Sequence, residues 1–237
     1  MVEIKGKFLE SINRTKAVKS FRFVPDKKIN FQAGQFAQVI FDEANRGNKS
    51  LNKYLSFSCS PEKGYIEVTK RISDSEFSHQ LQKLKQGESV LFKAPMGNCI
   101  YDERYKKIAF LAGGIGITPV ISIIEYIIMN KLSVDVCLFY ANRTEEDIAF
   151  KDELENWQQN NNILRVTYSV DEGIPTDKHY VRGFLNKDIL LSKIPDWNER
   201  FIFVFGPPSM VTAMENICIG IACNKEMIKT ESFIGYA

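Results

Sequence analysis

The sequence predicts an all-β domain over residues 1–101 followed by an α/β domain over residues 102–237. Three features predict this division. In the first hundred residues apolar and polar side chains alternate in short stretches, the two-residue period of half-buried strands. Beyond Tyr101, strand-like and helix-like stretches take turns, the order of a parallel sheet with helices on both faces. At 109–119 a short apolar run meets three glycines and then a helix pattern, the strand–turn–helix order of a phosphate-binding loop.

In the first domain the strand stretches are 17–24 (Ala17, Phe21, Phe23), 36–41, 53–59, 64–72 and 89–94. Turn signals at Pro25-Asp26, Ala33-Gly34 and Glu62-Lys63-Gly64 separate them. Short strands at this spacing make an antiparallel barrel or a sandwich. One helix interrupts them between Ser75 and Leu84, where Phe77, Leu81 and Leu84 fall at i, i+4 and i+7. The polar stretch from Cys99 to Lys106 marks the boundary. In the second domain the strand stretches 107–112, 134–140, 163–169 and 200–205 alternate with helix stretches 118–130, 146–158, 186–193 and 208–218. Thr144 before Glu145, Glu146 and Asp147 makes an acidic helix start, with Phe150, Leu154 and Trp157 as its apolar stripe.

The glycine segment runs Ala109-Phe110-Leu111-Ala112-Gly113-Gly114-Ile115-Gly116-Ile117-Thr118-Pro119. Glycines permit a sharp turn and let a ligand approach the backbone. Thr118 is placed to cap the following helix, and Pro119 suits its first position because its missing N–H would be unpaired there. Exposed N–H groups and the helix dipole favour an anion, typically a phosphate.

Composition narrows the function classes. Hydrophobic residues make up 44% of the 237 residues and charged residues 25%, as in a soluble chain with a core. No apolar run approaches the ~20 residues of a membrane span, and Met1-Val-Glu-Ile-Lys-Gly-Lys has no apolar signal core, so a cytoplasmic protein without a membrane span is expected. The five cysteines (Cys59, Cys99, Cys137, Cys218, Cys223) are scattered and outside zinc or iron–sulfur spacings, so no metal is expected. No nucleic-acid partner is expected. The net charge of +2 divides unevenly: residues 1–101 carry 17 Lys and Arg against 10 Asp and Glu, net +7, and residues 102–237 carry 14 against 19, net −5. A basic face of this kind steers an acidic partner or holds a phosphate-bearing cofactor; a solvated surface is the plainer alternative.

Four segments, in this order, resemble the ferredoxin–NADP reductase superfamily of flavin enzymes. Gly113-Gly114-Ile115-Gly116-Ile117-Thr118-Pro119 is similar to the family's pyridine-nucleotide loop, and Tyr140 to Phe150 to the strand end and helix that follow. Gly206-Pro207-Pro208-Ser209-Met210 resembles the second nucleotide loop, and Glu231-Ser232-Phe233-Ile234-Gly235-Tyr236 the C-terminal segment. The resemblance implies an antiparallel Greek-key β-barrel that binds FAD, followed by a Rossmann-like domain that binds NAD(P)H.

It also implies site residues. Gly113, Gly114, Gly116, Thr118, Pro119, Asn142, Arg143, Phe205, Gly206, Pro207 and Met210 would meet the nucleotide. Phe205 stands where many relatives have a cysteine close to the nicotinamide. Lys53-Tyr54-Leu55-Ser56 matches the family's Arg-x-Tyr-Ser/Thr strand: Ser56 would hydrogen-bond the flavin and Lys53 would grip the phosphates without an arginine's fork. Leu55 would cover the flavin ring or else pack in the core, while Tyr54 points to the opposite face of the strand. Thr69 and Lys70 lie on the strand beside the ribityl and adenylate part, and Ser78 matches the position that meets the pyrophosphate, with a cap or a mid-helix serine as its alternative. Ser56, Glu231 and Tyr236 make up the implied catalytic set, with Glu231 on the nicotinamide side and Tyr236 over the flavin face.

Hydride transfer needs two planar rings face to face and little acid–base help. The acidic run Ser169-Val170-Asp171-Glu172 disfavours a 2′-phosphate and points to NADH over NADPH, with Arg143 and Arg182 as possible offsets. Electrons would pass to a separate acceptor such as an acidic ferredoxin or flavodoxin, with free flavin or a ferric complex as the alternatives. The competing expectation is a non-catalytic or weakly flavin-binding subunit of the same fold.

Overall fold

The computed structural model describes residues 1–173, 180–221 and 223–233. The chain forms two compact units, residues 1–101 with 118–129 and residues 102–117 with 130–237.

In the first unit six strands, β1 (Val2–Asn13), β2 (Val18–Pro25), β3 (Phe36–Ile40), β4 (Asn52–Ser56), β5 (Ile66–Arg71) and β6 (Ser89–Met96), lie in the order β4-β3-β6-β1-β2-β5. Every pairing is antiparallel. Beyond β4 the chain bridges back to β5, Phe57 to Val68, and Ser58 N–H donates to Glu67 O over 2.9 Å. These contacts nearly close the sheet on itself, so the all-β half is a Greek-key barrel. Its interior is filled by Ile4, Phe21, Phe23, Val39, Phe57 and Phe92. Helix α1 (Glu76–Lys83) adds Phe77 and Leu81 to that core, and Ser75 caps it by accepting the Ser78 N–H.

Strand β1 is absent from the periodicity reading, and its buried face explains why. Ile4, Gly6 and Phe8 point inward, and a Cβ on Gly6 would lie 2.8 Å from Phe92 Cε2 and 2.9 Å from Phe23 Cβ. A glycine at an inward position erases the alternation that marks a strand. Helix α2 (Ile117–Met129) is apolar around most of its circumference and groups with the barrel.

In the second unit β7 (Lys107–Gly113), β8 (Asp135–Asn142), β9 (Leu164–Val170), β10 (Tyr180–Arg182), β11 (Phe201–Gly206) and β12 (Ile228–Ser232) form a sheet in the order β10-β9-β8-β7-β11-β12, parallel throughout. Residues 108–112 are all fully buried, as a sheet covered on both faces requires. Helices α3 (Lys151–Asn160), α4 (Lys187–Lys193) and α5 (Pro208–Gly220) complete the unit, whose core gathers Leu111, Phe139, Trp197, Ile202, Val204 and Met214.

Two helix starts differ from the expectation. Glu145–Asp147 form only a short 3-10 turn, Phe150 adopts a left-handed backbone at φ 60°, and α3 begins at Lys151. Ile148, Ala149 and Phe150 are all buried, and drawing these three apolar side chains into the core breaks the helix that the acidic residues favour. Thr118 does not cap α2. The helical path begins with a 3-10 turn at Gly114–Gly116, so Thr118 and Pro119 lie inside the first turn. Strands β10 and β12 also escaped the pattern, β10 because it has three residues and β12 (Ile-Lys-Thr-Glu-Ser) because an edge strand need bury little. No helix among the described residues is long and apolar enough to cross a membrane.

Candidate functional site

The parallel sheet reverses its order beside β7: the chain proceeds outward through β8, β9 and β10, then returns to place β11 on the other side. Loops leaving the carboxyl ends of strands at such a reversal diverge and leave a crevice for a ligand. The two loops here are Gly113–Gly116 after β7 and Gly206–Met210 after β11.

Each glycine of the first loop answers to a different constraint. A Cβ on Gly113 would run into Met210 Sδ and lie 3.4 Å from Pro207 Cδ. Gly114 holds φ +52°, a conformation costly for residues with a Cβ. A Cβ on Gly116 would overlap the Phe205 carbonyl oxygen and lie 2.8 Å from Gly206 N. Gly206 in turn sits 3.4 Å, by the same measure, from Gly113 N. The structure thus brings Gly113, Gly116, Phe205, Gly206, Pro207 and Met210 together as the sequence expects. Tyr140 Oη steadies the turn by donating to Gly114 O over 3.0 Å. Phe205 approaches the loop through its main chain; its side chain is fully buried and stacks on Phe203 at 5.9 Å and 13°. No side chain caps the start of α5, so its first N–H groups remain for a ligand.

Asn142 ends β8 beside this loop, since Gly113 pairs with the preceding Ala141. It is 6% exposed, and neither amide atom of its side chain has a hydrogen-bond partner. Leaving a buried amide unpaired is costly, and a polar ligand atom would remove the cost. Tyr168 Oη and Asp171 Oδ1, on and just after β9, are buried and unpartnered in the same way. Burial and the neighbouring Glu172 hold the Asp171 carboxyl above its ordinary range. Arg143 lies exposed, its guanidinium paired with Glu172 at 2.8 Å. Glu231 is on β12 opposite Phe205, and burial raises its carboxyl pKa. Tyr236 lies outside the described residues. The glycine cradle and the orphaned Asn142 amide fit a dinucleotide.

In the barrel unit the Lys53–Ser56 run divides between two faces of β4. Leu55 is 3% exposed and belongs to the barrel core, as its core-packing alternative holds, whereas Tyr54 is 60% exposed and edge-on to Phe36 at 6.0 Å. Ser56 is buried. Lys53 on β4 lies near enough to Lys70 on β5, where the sheet nearly closes, for their charges to repel. Burial first, and then the charge of Lys53, push the Lys70 amine down to about 8. The Lys70 ammonium also donates to Arg71 O at 3.0 Å, and a buried cation with a second cation beside it suits an anion, which fits the phosphates of a flavin nucleotide.

The hydroxyls of Thr69 and Ser78 are occupied within the protein. Thr69 Oγ1 is bonded to Ser20 Oγ at 2.6 Å and Ser58 Oγ at 2.7 Å. The Ser78 N–H is taken by Ser75 Oγ at 3.3 Å, and its hydroxyl accepts from Ser73 N–H and Ser75 Oγ. Ser78 therefore sits inside α1 as a mid-helix serine, and the cap is Ser75. The closeness of Lys53 and Lys70 is the feature that sequence spacing hid. An inward-facing lysine on each of two strands is its only trace, and it becomes visible only once their register is known.

Comparison with known proteins follows this division. Residues 6–101 match the Oxidoreductase FAD-binding domain family and residues 110–216 the Oxidoreductase NAD-binding domain family. The chain is 32% identical to an NADH-cytochrome b5 reductase 2 of Lodderomyces elongisporus, over 73% of this chain and 59% of that one. It is 27% identical to an NADH nitrate reductase of Cucurbita maxima, over 88% of this chain and 26% of that one. It therefore spans less than two thirds of either relative. The FAD/NAD-binding domain of a Vibrio cholerae nitric oxide dioxygenase shares the fold, with a TM-score of 0.85 over 97% of this chain and 98% of that one at 20% identity.

Proposed function

Because this chain belongs to the ferredoxin–NADP reductase superfamily, we propose that it is an FAD-dependent NADH oxidoreductase that passes electrons to a separate acceptor protein. The observation that carries the reading is the joining of the two loops after β7 and β11 around a glycine cradle, beside an Asn142 amide with no partner of its own. The cofactors supply the chemistry when bound, nicotinamide as hydride donor and flavin as acceptor. The chain supplies grip and orientation.

Gly113, Gly114 and Gly116 let the nucleotide phosphates meet main-chain N–H groups, and the unfilled first turn of α5 adds donors. Asn142 offers both a donor and an acceptor to the bound nucleotide. Lys53 and Lys70 neutralise the flavin phosphates, and Ser56 directs a hydroxyl to the ring. Glu231, whose carboxyl pKa is raised by burial, serves the nicotinamide side.

NADH is favoured over NADPH by two features. Asp171 and Glu172 follow β9, and Arg143 beside them is already paired with Glu172. The relatives' names carry NADH as well. Those names favour an acceptor of the cytochrome b5 kind over the ferredoxin or flavodoxin expected from the charge of residues 1–101 alone. The basic barrel residues suit any acidic carrier.

The deciding experiment is anaerobic reduction of FAD-loaded protein with NADH and NADPH in parallel. Bleaching of the flavin absorbance by NADH, and more slowly by NADPH, is expected. A protein that stays colourless after incubation with FAD supports the non-catalytic alternative and ends this reading.

A further inference from the structure

Helix α2 continues the chain beyond the glycine turn, and one face of it is fastened to the barrel. Ser122, Glu125 and Tyr126 stand at i, i+3 and i+4 and so share that face. Ser122 Oγ donates to Cys59 O over 2.7 Å in a fully buried setting. Glu125 Oε2 accepts the Ser60 N–H over 2.7 Å, and its Oε1 pairs with Lys63 Nζ at 3.0 Å. Tyr126 packs against Tyr101 at 5.8 Å. Ile123 lies so close to Gly34 that a Cβ there would come within 3.1 Å of Ile123 Cδ1.

From Ile117 to Ile128 the helix is otherwise almost wholly apolar. Apolar packing is non-directional and tolerates small rotations and shifts. Hydrogen bonds to fixed backbone atoms are directional, and fully satisfied buried ones specify a single arrangement. Cys59 and Ser60 follow Ser56 by three and four residues, and Ser122 and Glu125 follow Thr118 on one helix. Two short bonds therefore set the segment that presents Thr118 against the segment that presents Ser56.

We propose that Ser122 and Glu125 are positioning residues for hydride transfer, fixing the rotation and height of α2 relative to the Ser56–Ser60 run. The inference rests on the reading of the chain as an NADH-dependent flavoprotein. Neither residue touches a cofactor in this role; each acts through backbone that carries a residue that does.

The test uses FAD-loaded protein with Glu125→Gln, Glu125→Ala and Ser122→Ala. Glutamine keeps an oxygen for the Ser60 N–H and loses only the charge pairing with Lys63; alanine loses both. Two readouts are taken: hydrogen exchange at the Ser60 amide, which needs no turnover, and stopped-flow reduction, which separates the NADH Kd from the limiting rate. For Glu125→Ala we expect exchange faster by about tenfold and a limiting rate lower by about tenfold, each the signature of roughly one lost charge-assisted bond. NADH Kd and flavin affinity should stay within about twofold of wild type, the pattern of a residue that acts on the reaction step alone.

Glu125→Gln should remain within about threefold of wild type in both readouts, and Ser122→Ala, which removes one neutral bond, should fall between the two. Faster exchange with an unchanged limiting rate overturns the positioning role. Equal losses in the Gln and Ala variants, or loss of flavin, also overturn it and leave a purely structural contact. If Glu125→Ala does not fold, Ser122→Ala decides alone: a wild-type limiting rate in that variant overturns the role. Wild-type protein that NADH does not reduce overturns the functional reading beneath it, whatever the exchange at Ser60 shows.

Discussion

The glycine loop after β7 and the strand β4 carry expectations from the same resemblance, yet they differ in the structure. In the loop every expected glycine has its own reason to lack a side chain, because main chain from β11 and the side chain of Met210 crowd in on it or because the turn needs a positive φ. In the strand the expected residues scatter: Leu55 into the core, Tyr54 into solvent, the neighbouring Thr69 hydroxyl into an internal network. The difference teaches that a site built from backbone can be read in residue type, whereas a site built from side chains depends on facing, which tertiary context decides.

The largest test of the comparison is Gly116→Ala. The new methyl would press on Phe205 and Gly206 main chain, which cannot move aside, so a loss of about 2–3 kcal/mol is expected in urea unfolding, together with loss of NADH binding. Gly114→Ala has open space and only backbone strain to bear, so it should cost about 1–2 kcal/mol. Equal costs in the two variants would break the view that the glycines act for different reasons.

Next comes Lys70→Met, which should weaken FAD binding about tenfold at pH 7 by removing one charge-assisted contact. The pH dependence has a definite sign. The Lys70 pKa lies below the ordinary lysine value of 10.5, so its contribution to stability is present above that pH and is lost as pH falls through about 8, where the buried amine takes up a proton. A bound phosphate favours the charged amine, so FAD affinity should decline as pH rises past about 8 and the decline should vanish in Lys70→Met. Fluorescence titration from pH 6 to 10 reads both effects. The smallest change is expected from Glu172→Gln, which releases the exposed Arg143 from its ion pair. The kcat/KM ratio of NADPH to NADH should rise by a fewfold, on the scale of about 1 kcal/mol for an exposed pair.

Much of the fold was legible. The strand stretches of the barrel, the helix over 75–84 and the alternation after Tyr101 all appear in the structure within a few residues, since periodicity records which faces are buried. Strand β1 was not legible because Gly6 occupies an inward position, and the helix over 146–158 was overestimated because Ile148, Ala149 and Phe150 are pulled into the core. In the site, the meeting of Gly113–Gly116 with Gly206–Met210 followed from motif order. The orphaned amide of Asn142, the shared environment of Lys53 and Lys70, and the tie from Glu125 to Ser60 did not, because each depends on residues far apart in the chain.

Residue order alone was enough for the class of each half and for the two glycine-bearing loops, because local conformation and alternate burial are properties of near neighbours. Closure of the barrel, the facing of Leu55 and Tyr54, and the clasp of Ser122 and Glu125 on Cys59 and Ser60 were settled only by packing. Strand register and helix rotation are chosen by the whole set of long-range contacts at once, and no short stretch of sequence contains that choice.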